Sequence, residues 1–128
     1  MRIVHTTAPS FPEATPNTLL SLLPKERWQV LCGDTGHWRC GFYAPEFGGA
    51  EEISELEWHD CPELFMLVQG RVSLVLHDEQ GERIQELEPL KPILVTARHA
   101  GFCPDGPHSG LCIVIERDAF KTEYTPRG

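Results

Sequence analysis

The stretch from Glu57 to Gly70, EWHDCPELFMLVQG, decides the fold class of this chain. Glu57 and His59 are two residues apart, so on an extended strand both side chains point to the same face. Glu63 then opens the apolar run ELFMLVQ, and Gly70 separates that run from a second one, RVSLVLH. This pattern predicts two antiparallel strands that direct polar groups into the space enclosed by the sheet.

Similar strand signals extend in both directions from this stretch. Short apolar or alternating runs are separated by Gly, Pro or Asp, and DEQG, from Asp78 to Gly81, is typical of a hairpin turn. About eight strands at this spacing predict an all-β sandwich or barrel. The predicted strands are Trp28 to Cys32, His37 to Tyr43, Glu51 to His59, Leu64 to Gln69, Arg71 to His77, Arg83 to Leu87, Ile93 to Thr96 and Leu111 to Arg117.

The N-terminal segment has a different pattern. Pro9, Pro12 and Pro16 favour an extended chain, because proline disrupts helices. A short helix is predicted from Asn17 to Leu23, with Pro24 ending it. The sequence therefore predicts an extended or short helical arm at residues 1–27 and a barrel domain at residues 28–128.

Composition limits the classes of function. The chain has 128 residues, 41% of them hydrophobic, and a net charge of -8. Acidity argues against nucleic acid or an anionic membrane as the main partner, since both attract clustered Lys and Arg. Without a long apolar segment or a secretory signal pattern, the expected location is the cytoplasm. The five cysteines contain no Cys-x-x-Cys pair and predict no disulfide framework.

Two motifs resemble those of a single-domain cupin, a small double-stranded β-barrel of the jelly-roll type. The first cupin motif ends with a His, a Glu after three or four residues, and a Gly after six more, which matches His59, Glu63 and Gly70. The second motif has a Pro-x-Gly turn followed by a His, and CPDGPHSG contains Pro104, Gly106 and His108. The resemblance covers residues 41–116.

The resemblance implies a metal site. Cupins commonly hold a divalent metal with two His and a Glu from the first motif and a His from the second, which implies His59, Glu63 and His108 as ligands here. Glu57 occupies the position of the family's first His, as a fourth ligand or a general base.

Two alternatives remain open in the sequence. In a competing alignment, His59 is the first His of the motif and Cys61 is the second. His99, in TARHAGF, could replace the histidine of the second motif.

These ligand types decide the expected chemistry. Two imidazoles and two carboxylates suit Fe, Mn, Ni or Zn, whereas Cys61 would favour zinc or a thiolate-tolerant iron site. We expect a cytoplasmic cupin that acts on or senses a small organic molecule, and the family suggests a metal-dependent oxygenase or isomerase. The expected apolar pocket wall is Phe65, Leu67 and Phe102. The alternative is a metal-free cupin that serves as a ligand-binding or dimeric scaffold.

The large apolar residues also predict assembly. Alternation along residues 51–59 places Leu56 and Trp58 on the strand face opposite His59. Together with Trp28 and Trp38, they supply more apolar surface than a small barrel can bury inside. The sequence therefore predicts a symmetric homodimer that covers part of this surface.

Overall fold

The computed structural model describes residues 1–128 and contains eleven strands with one 3-10 turn, Ala50–Glu52. In chain order the strands are β1 (Arg2–Thr6), β2 (Trp28–Asp34), β3 (Trp38–Tyr43), β4 (Glu55–His59), β5 (Glu63–Gln69), β6 (Ser73–Asp78), β7 (Gly81–Glu86), β8 (Ile93–Val95), β9 (Arg98–Phe102), β10 (Leu111–Arg117) and β11 (Phe120–Pro126).

The strands form two antiparallel sheets. The order of the six-stranded sheet is β1-β11-β4-β9-β6-β7, and the order of the five-stranded sheet is β2-β3-β10-β5-β8. The prediction of an all-β, two-layer jelly roll is confirmed. The single helical turn is far too short to cross a membrane.

The N-terminal segment differs from the sequence prediction. Residues 2–6 form β1, which pairs with β11 from Arg2↔Tyr124 to Thr6↔Phe120. The predicted helix from Asn17 to Leu23 does not form, and Asn17 has a positive φ of 65°. Residues 17–23 are all exposed, so no packed face stabilises a helix there.

The main core lies between the sheets. Alternate residues of β5, β6 and β10 point inward, so Phe65, Leu67, Leu74, Leu76 and Val114 are almost fully buried in one cluster. The same alternation brings Glu63 and Glu116 inward at one end of these strands. The polar site described below therefore lies beside the core, on a rigid two-sheet support.

A second cluster covers the outer face of the six-stranded sheet. Ile53, Leu56, Val75 and Phe102 are buried there, with Phe47 packed against them. Leu56 is only 2% exposed within its own chain. This corrects the expectation that Leu56 needs a partner subunit, because the segment before β4 folds back over it.

Turn chemistry agrees with the sequence at two glycines. Gly81 has a φ of +98° beside the two-residue hairpin loop between β6 and β7, where Asp78 pairs with Gly81. Gly70 has a φ of +67°, and a Cβ there would lie 2.5 Å from the Ser109 carbonyl oxygen. Both the backbone conformation and the close approach require glycine at position 70.

Candidate metal centre

Three neighbouring strands bring four potential ligands together. Glu57 and His59 lie on the inward face of β4, as their spacing predicts, and Glu57 is the direct cross-strand partner of His99 on β9. Glu63 is the first residue of β5 in the opposite sheet. Potential ligands therefore come from both layers of the sandwich: the ligand atoms of Glu57, His59 and His99 form one convergent group, and Glu63 joins His59 in a second.

The distances place Glu63 at the centre of this group. Its Oε1 lies 3.0 Å from His59 Nε2 and 3.0 Å from His99 Nε2. Glu57 Oε1 lies 3.5 Å from the His99 nitrogen and 3.7 Å from the His59 nitrogen. The ligand atoms of Glu57, His59 and His99 all lie within 4.8 Å of one another.

A hydrogen bond through Nδ1, on the side of the ring away from Glu63, fixes the orientation of each imidazole. His99 Nδ1 donates to the Ala97 carbonyl at 2.9 Å, and His59 Nδ1 is hydrogen-bonded to Thr122 Oγ1 at 2.7 Å. In metal sites, a ligating histidine commonly makes such a bond through its other nitrogen. The Nε2 atoms of both rings are therefore presented to Glu63.

Two atoms at the centre lack hydrogen-bond partners. Glu63 Oε1 and His99 Nε2 are both buried, and although they are 3.0 Å apart their geometry is not that of a hydrogen bond. A neutral imidazole with Nδ1 protonated presents a lone pair from Nε2, as does the carboxylate, so the two repel. A divalent cation between them satisfies both, and the donor set therefore fits a metal.

The cluster perturbs the ionisation of its members. Burial lowers the pKa of His59, but the two nearby carboxylates, Glu57 and Glu63, outweigh it and raise that pKa to about 9. The same contacts raise the pKa of His99 well above its usual value. Burial raises the pKa of both carboxyls, but the two histidines outweigh it and lower them. Without a metal, protons on the imidazoles would have to balance the two carboxylates.

Glu116 is a third acidic group, beside the cluster of two glutamates and two histidines. It lies on β10, and together with His59 and Glu63 its ligand atoms form a second group within 4.8 Å. Arg39 occupies its other side, with Nε and one terminal nitrogen each 2.8 Å from Oε2. Burial and the nearby Glu63 raise the pKa of Glu116 to about 7. Because Arg39 holds Oε2 of Glu116, this carboxylate is a weaker candidate ligand than the four groups above.

A cavity of about 130 Å³ opens from the cluster. Phe65 forms part of its wall, as the sequence predicts, with Trp28, Tyr43 and Tyr124. Leu67 and Phe102 do not line it, because they pack into the two hydrophobic clusters instead. The wall is thus more aromatic and more polar than expected.

The structure does not bring His108 to this cluster, which corrects the prediction that it converges with His59 and Glu63. His108 lies in the turn after β9, with a φ of 60°, and its Nδ1 donates to the Ala44 carbonyl at 2.9 Å. The turn is held against the segment after β3, so the ring cannot reach the cavity. His99, the alternative contributor, lies in the cluster.

Cys61 also lies outside the cluster. It is 5% exposed and belongs to neither group of convergent ligand atoms. Burial raises the pKa of its thiol, which disfavours the thiolate needed for metal binding. Of the two alignments open in the sequence, the geometry favours the one that uses Glu57, His59 and Glu63.

Sequence reasoning missed Glu116, Arg39 and Thr122. The signal for Glu116 was present, since it shares the inward face of β10 with Cys112 and Val114. Thr122 was missed because β11 was not predicted. Its contact with His59 depends on the pairing of β4 with β11, which no local pattern reveals.

No protein-family model and no curated protein matches the chain. Solved structures do match. A cupin 2 domain-containing protein from Halorhodospira halophila gives a TM-score of 0.57 at 17% identity, covering 99% of this chain and 83% of that one. The Fe(II) HppE structure gives 0.58 at 10% identity, covering 89% and 64%.

Hydroxypropylphosphonic acid epoxidase from S. wedmorenis gives a TM-score of 0.51 at 11% identity, covering 89% of this chain and 62% of that chain. The present chain thus spans less than two thirds of the length of this epoxidase and of the HppE structure. At these identities the similarity concerns the fold. The two-sheet architecture, the strand order and these matches together show that this chain has the cupin fold.

Proposed function

We propose that Glu57, His59, Glu63 and His99 hold a divalent transition metal, and that the protein acts on or senses a small organic molecule in the adjoining cavity. One observation carries the proposal. The buried and unpartnered atoms Glu63 Oε1 and His99 Nε2 lie 3.0 Å apart, beside the further potential ligands Glu57 and His59. A cation is the simplest group that satisfies both atoms.

The donor set limits the metal. Two imidazoles and two carboxylates suit Fe, Mn, Ni or Zn rather than a soft, thiolate-preferring ion. Such an ion with an open coordination position can act as a Lewis acid toward a bound oxygen-containing molecule. Solved structures with a similar fold include Fe(II) and Co(II) forms of HppE, which supports a transition metal at this site. The enzyme class that we propose is a metal-dependent oxygenase or isomerase. We also propose a cytoplasmic homodimer.

Direct metal analysis tests the proposal. Freshly purified protein should contain close to one equivalent of a transition metal. Ligand distances should be about 2.0 to 2.3 Å in a crystal structure or by X-ray absorption spectroscopy. His59→Ala should remove the metal and also the thermal stabilisation that the metal provides, because an ion bound only by the folded state raises stability. If wild-type protein neither contains nor takes up stoichiometric metal, the proposal is wrong.

The second candidate function is a metal-free ligand-binding or scaffold protein. It is favoured by the raised pKa of His59, about 9, because two protonated imidazoles could balance Glu57 and Glu63 without an ion. In that case chelators should not change the melting temperature. NMR titration of the protein as purified, without a chelator, would then show both imidazoles charged at neutral pH.

A further inference from the structure

The cavity beside the cluster continues into a larger outer hollow. The inner part has a volume of about 130 Å³ and the outer part about 350 Å³. Five residues line both parts and therefore mark the passage between them: Arg27, Tyr43, Glu57, His99 and Tyr124. A small molecule that fills both parts must pass between these side chains.

Arg27 stands apart from the other arginines. Six of the eight form an ion pair with a carboxylate, and Arg98 donates to Thr125. Arg27 forms neither an ion pair nor a side-chain hydrogen bond, although it lines the cavity. Its backbone is fixed, because its carbonyl oxygen accepts a bond from Ala44 N at 2.9 Å. Arg27 is exposed, and its guanidinium, on a fixed stretch of backbone and without a partner in the protein, is available to a ligand.

Two tyrosine hydroxyls accompany this guanidinium. Tyr43 Oη accepts a bond from Gly101 N at 3.1 Å, which leaves its own proton free to donate. Burial and the charge of Glu57 raise the pKa of both Tyr43 and Tyr124, so both hydroxyls stay protonated. Arg27, Tyr43 and Tyr124 all line both parts of the cavity, so the three groups border the same passage. Three donors without acceptors thus surround the passage.

The charges of the site leave one positive charge unbalanced. A divalent ion neutralises Glu57 and Glu63, and Arg39 pairs with Glu116. The outer hollow is lined by Glu55, which pairs with Arg2 at 2.9 Å, and by Glu46, which is exposed to solvent. Once the metal is counted, Arg27 is the only charge in the inner cavity without an opposite charge.

We propose that the ligand is a small organic acid whose carboxylate binds Arg27 and the Tyr43 and Tyr124 hydroxyls, with the rest of the molecule directed toward the Glu57–His59–Glu63–His99 cluster. A guanidinium matches a carboxylate by two parallel hydrogen bonds. The proposal rests on the proposed function, since it places the reacting end at the metal. It adds the chemical class of the molecule and the residue that selects it.

Matched pairs of ligands test this selection. The metal content of full-length protein is measured first, and the protein is then titrated calorimetrically with hydroxy and keto acids of two to six carbons and with their neutral amides. At least one acid should bind about tenfold or more tighter than its amide, as expected for a charged hydrogen bond. Arg27→Gln should remove that preference without lowering the metal content.

Lys25→Gln provides the matched control. Lys25 is exposed, lies two residues from Arg27, forms no ion pair and lines neither part of the cavity. This variant loses the same charge and should keep the wild-type preference for the acid. Equal binding of acid and amide across the panel, or an acid preference that survives in Arg27→Gln, overturns the inference.

The two proposals can fail separately. A protein without metal that still prefers acids through Arg27 would refute the metal site and uphold the acid site. A protein with stoichiometric metal and no dependence on Arg27 would do the reverse. Titrations repeated after chelation distinguish these two results.

Discussion

Replacing His99 with Ala is the most direct test of the site, because structure and sequence motif choose different histidines. The proposed site has four ligands, and full four-ligand sites for zinc are worth about 10 to 16 kcal/mol. An equal share is about 2.5 to 4 kcal/mol per ligand, so His99→Ala should weaken metal binding by roughly two to three orders of magnitude. His99 is 3% exposed and contacts Glu63 at 3.0 Å.

The matched control is His108→Ala. The His108 ring only donates to the Ala44 carbonyl, and a hydrogen bond of this kind contributes about 0.5 to 1.5 kcal/mol to stability. This variant should unfold at lower denaturant concentration but bind metal within about threefold of wild type, since its ring is not a ligand.

The assay is a chelator competition with Co(II) or Zn(II) on metal-free protein, with circular dichroism to verify that each variant is folded. Both the size and the direction of the difference are informative. If folded His99→Ala binds metal as tightly as wild type while His108→Ala loses it, the site built from the structure is wrong and the motif-based assignment is right.

Three further predictions concern pH, packing and assembly. The pKa of His59 is raised from 6.5 to about 9, and the pKa of His99 also rises, so the two histidines stabilise the metal-free protein fully below pH 6.5 and lose this contribution as the pH rises toward 9. The pKa values of Glu57 and Glu63 are lowered from 4.5, so these carboxylates lose their stabilising contribution as the pH falls below 4.5. In urea unfolding, the free energy of unfolding of the metal-free protein should therefore decrease from pH 6.5 to 9. The stability added by the metal should increase over the same range, because fewer protons compete for the imidazoles. A free energy of unfolding that does not change with pH in the metal-free protein would contradict this. The groups that face His59 are Glu57, Glu63, His99, Glu116 and Thr122. Leu67 is 1% exposed, so Leu67→Ala should lower the free energy of unfolding by about 2 to 5 kcal/mol. Leu19 is fully exposed, so the control Leu19→Ala should change it by less than about 0.5 kcal/mol. Equal losses in the two variants would show that Leu67 is not part of the core. Light scattering should give twice the monomer mass of 14.4 kDa, because Trp38, Leu23 and Leu94 remain exposed by 44%, 63% and 63%, and a monomer at micromolar concentration would contradict the dimer.

The strand pattern was readable from sequence because each run depends on local alternation. All eight predicted strands are present. Seven differ by at most two residues at an end, such as Glu63 opening β5, whereas the strand predicted from Glu51 begins only at Glu55 because Ala50–Glu52 forms a 3-10 turn. Glu57 and His59 share a face, as a two-residue spacing requires. The strand face on which a side chain lies could therefore be predicted from local sequence, whereas the strand that pairs with it in the sheet could not.

The strand that carries His99 shows where this reasoning fails. RHAGF contains Ala and Gly, which have low strand propensity, and β9 forms because it lies between β4 and β6. A Cβ at Gly101 would lie 2.7 Å from Tyr43 Oη, so glycine is needed there for Tyr43 to pack against the strand. The same glycine lowers the strand propensity of the sequence. His108 matched the motif spacing instead, but its turn folds toward Ala44.

The four proposed ligands belong to both layers of the sandwich. Glu57, His59 and His99 lie in the six-stranded sheet, and Glu63 lies in the five-stranded sheet. An ion bound by all four would act as a cross-link between layers that otherwise meet through side-chain packing at this end. Loss of the ion should therefore be detected first as faster amide hydrogen exchange in β4, β5 and β9. These amides would exchange through local separation of the two sheets, under conditions in which the domain as a whole stays folded.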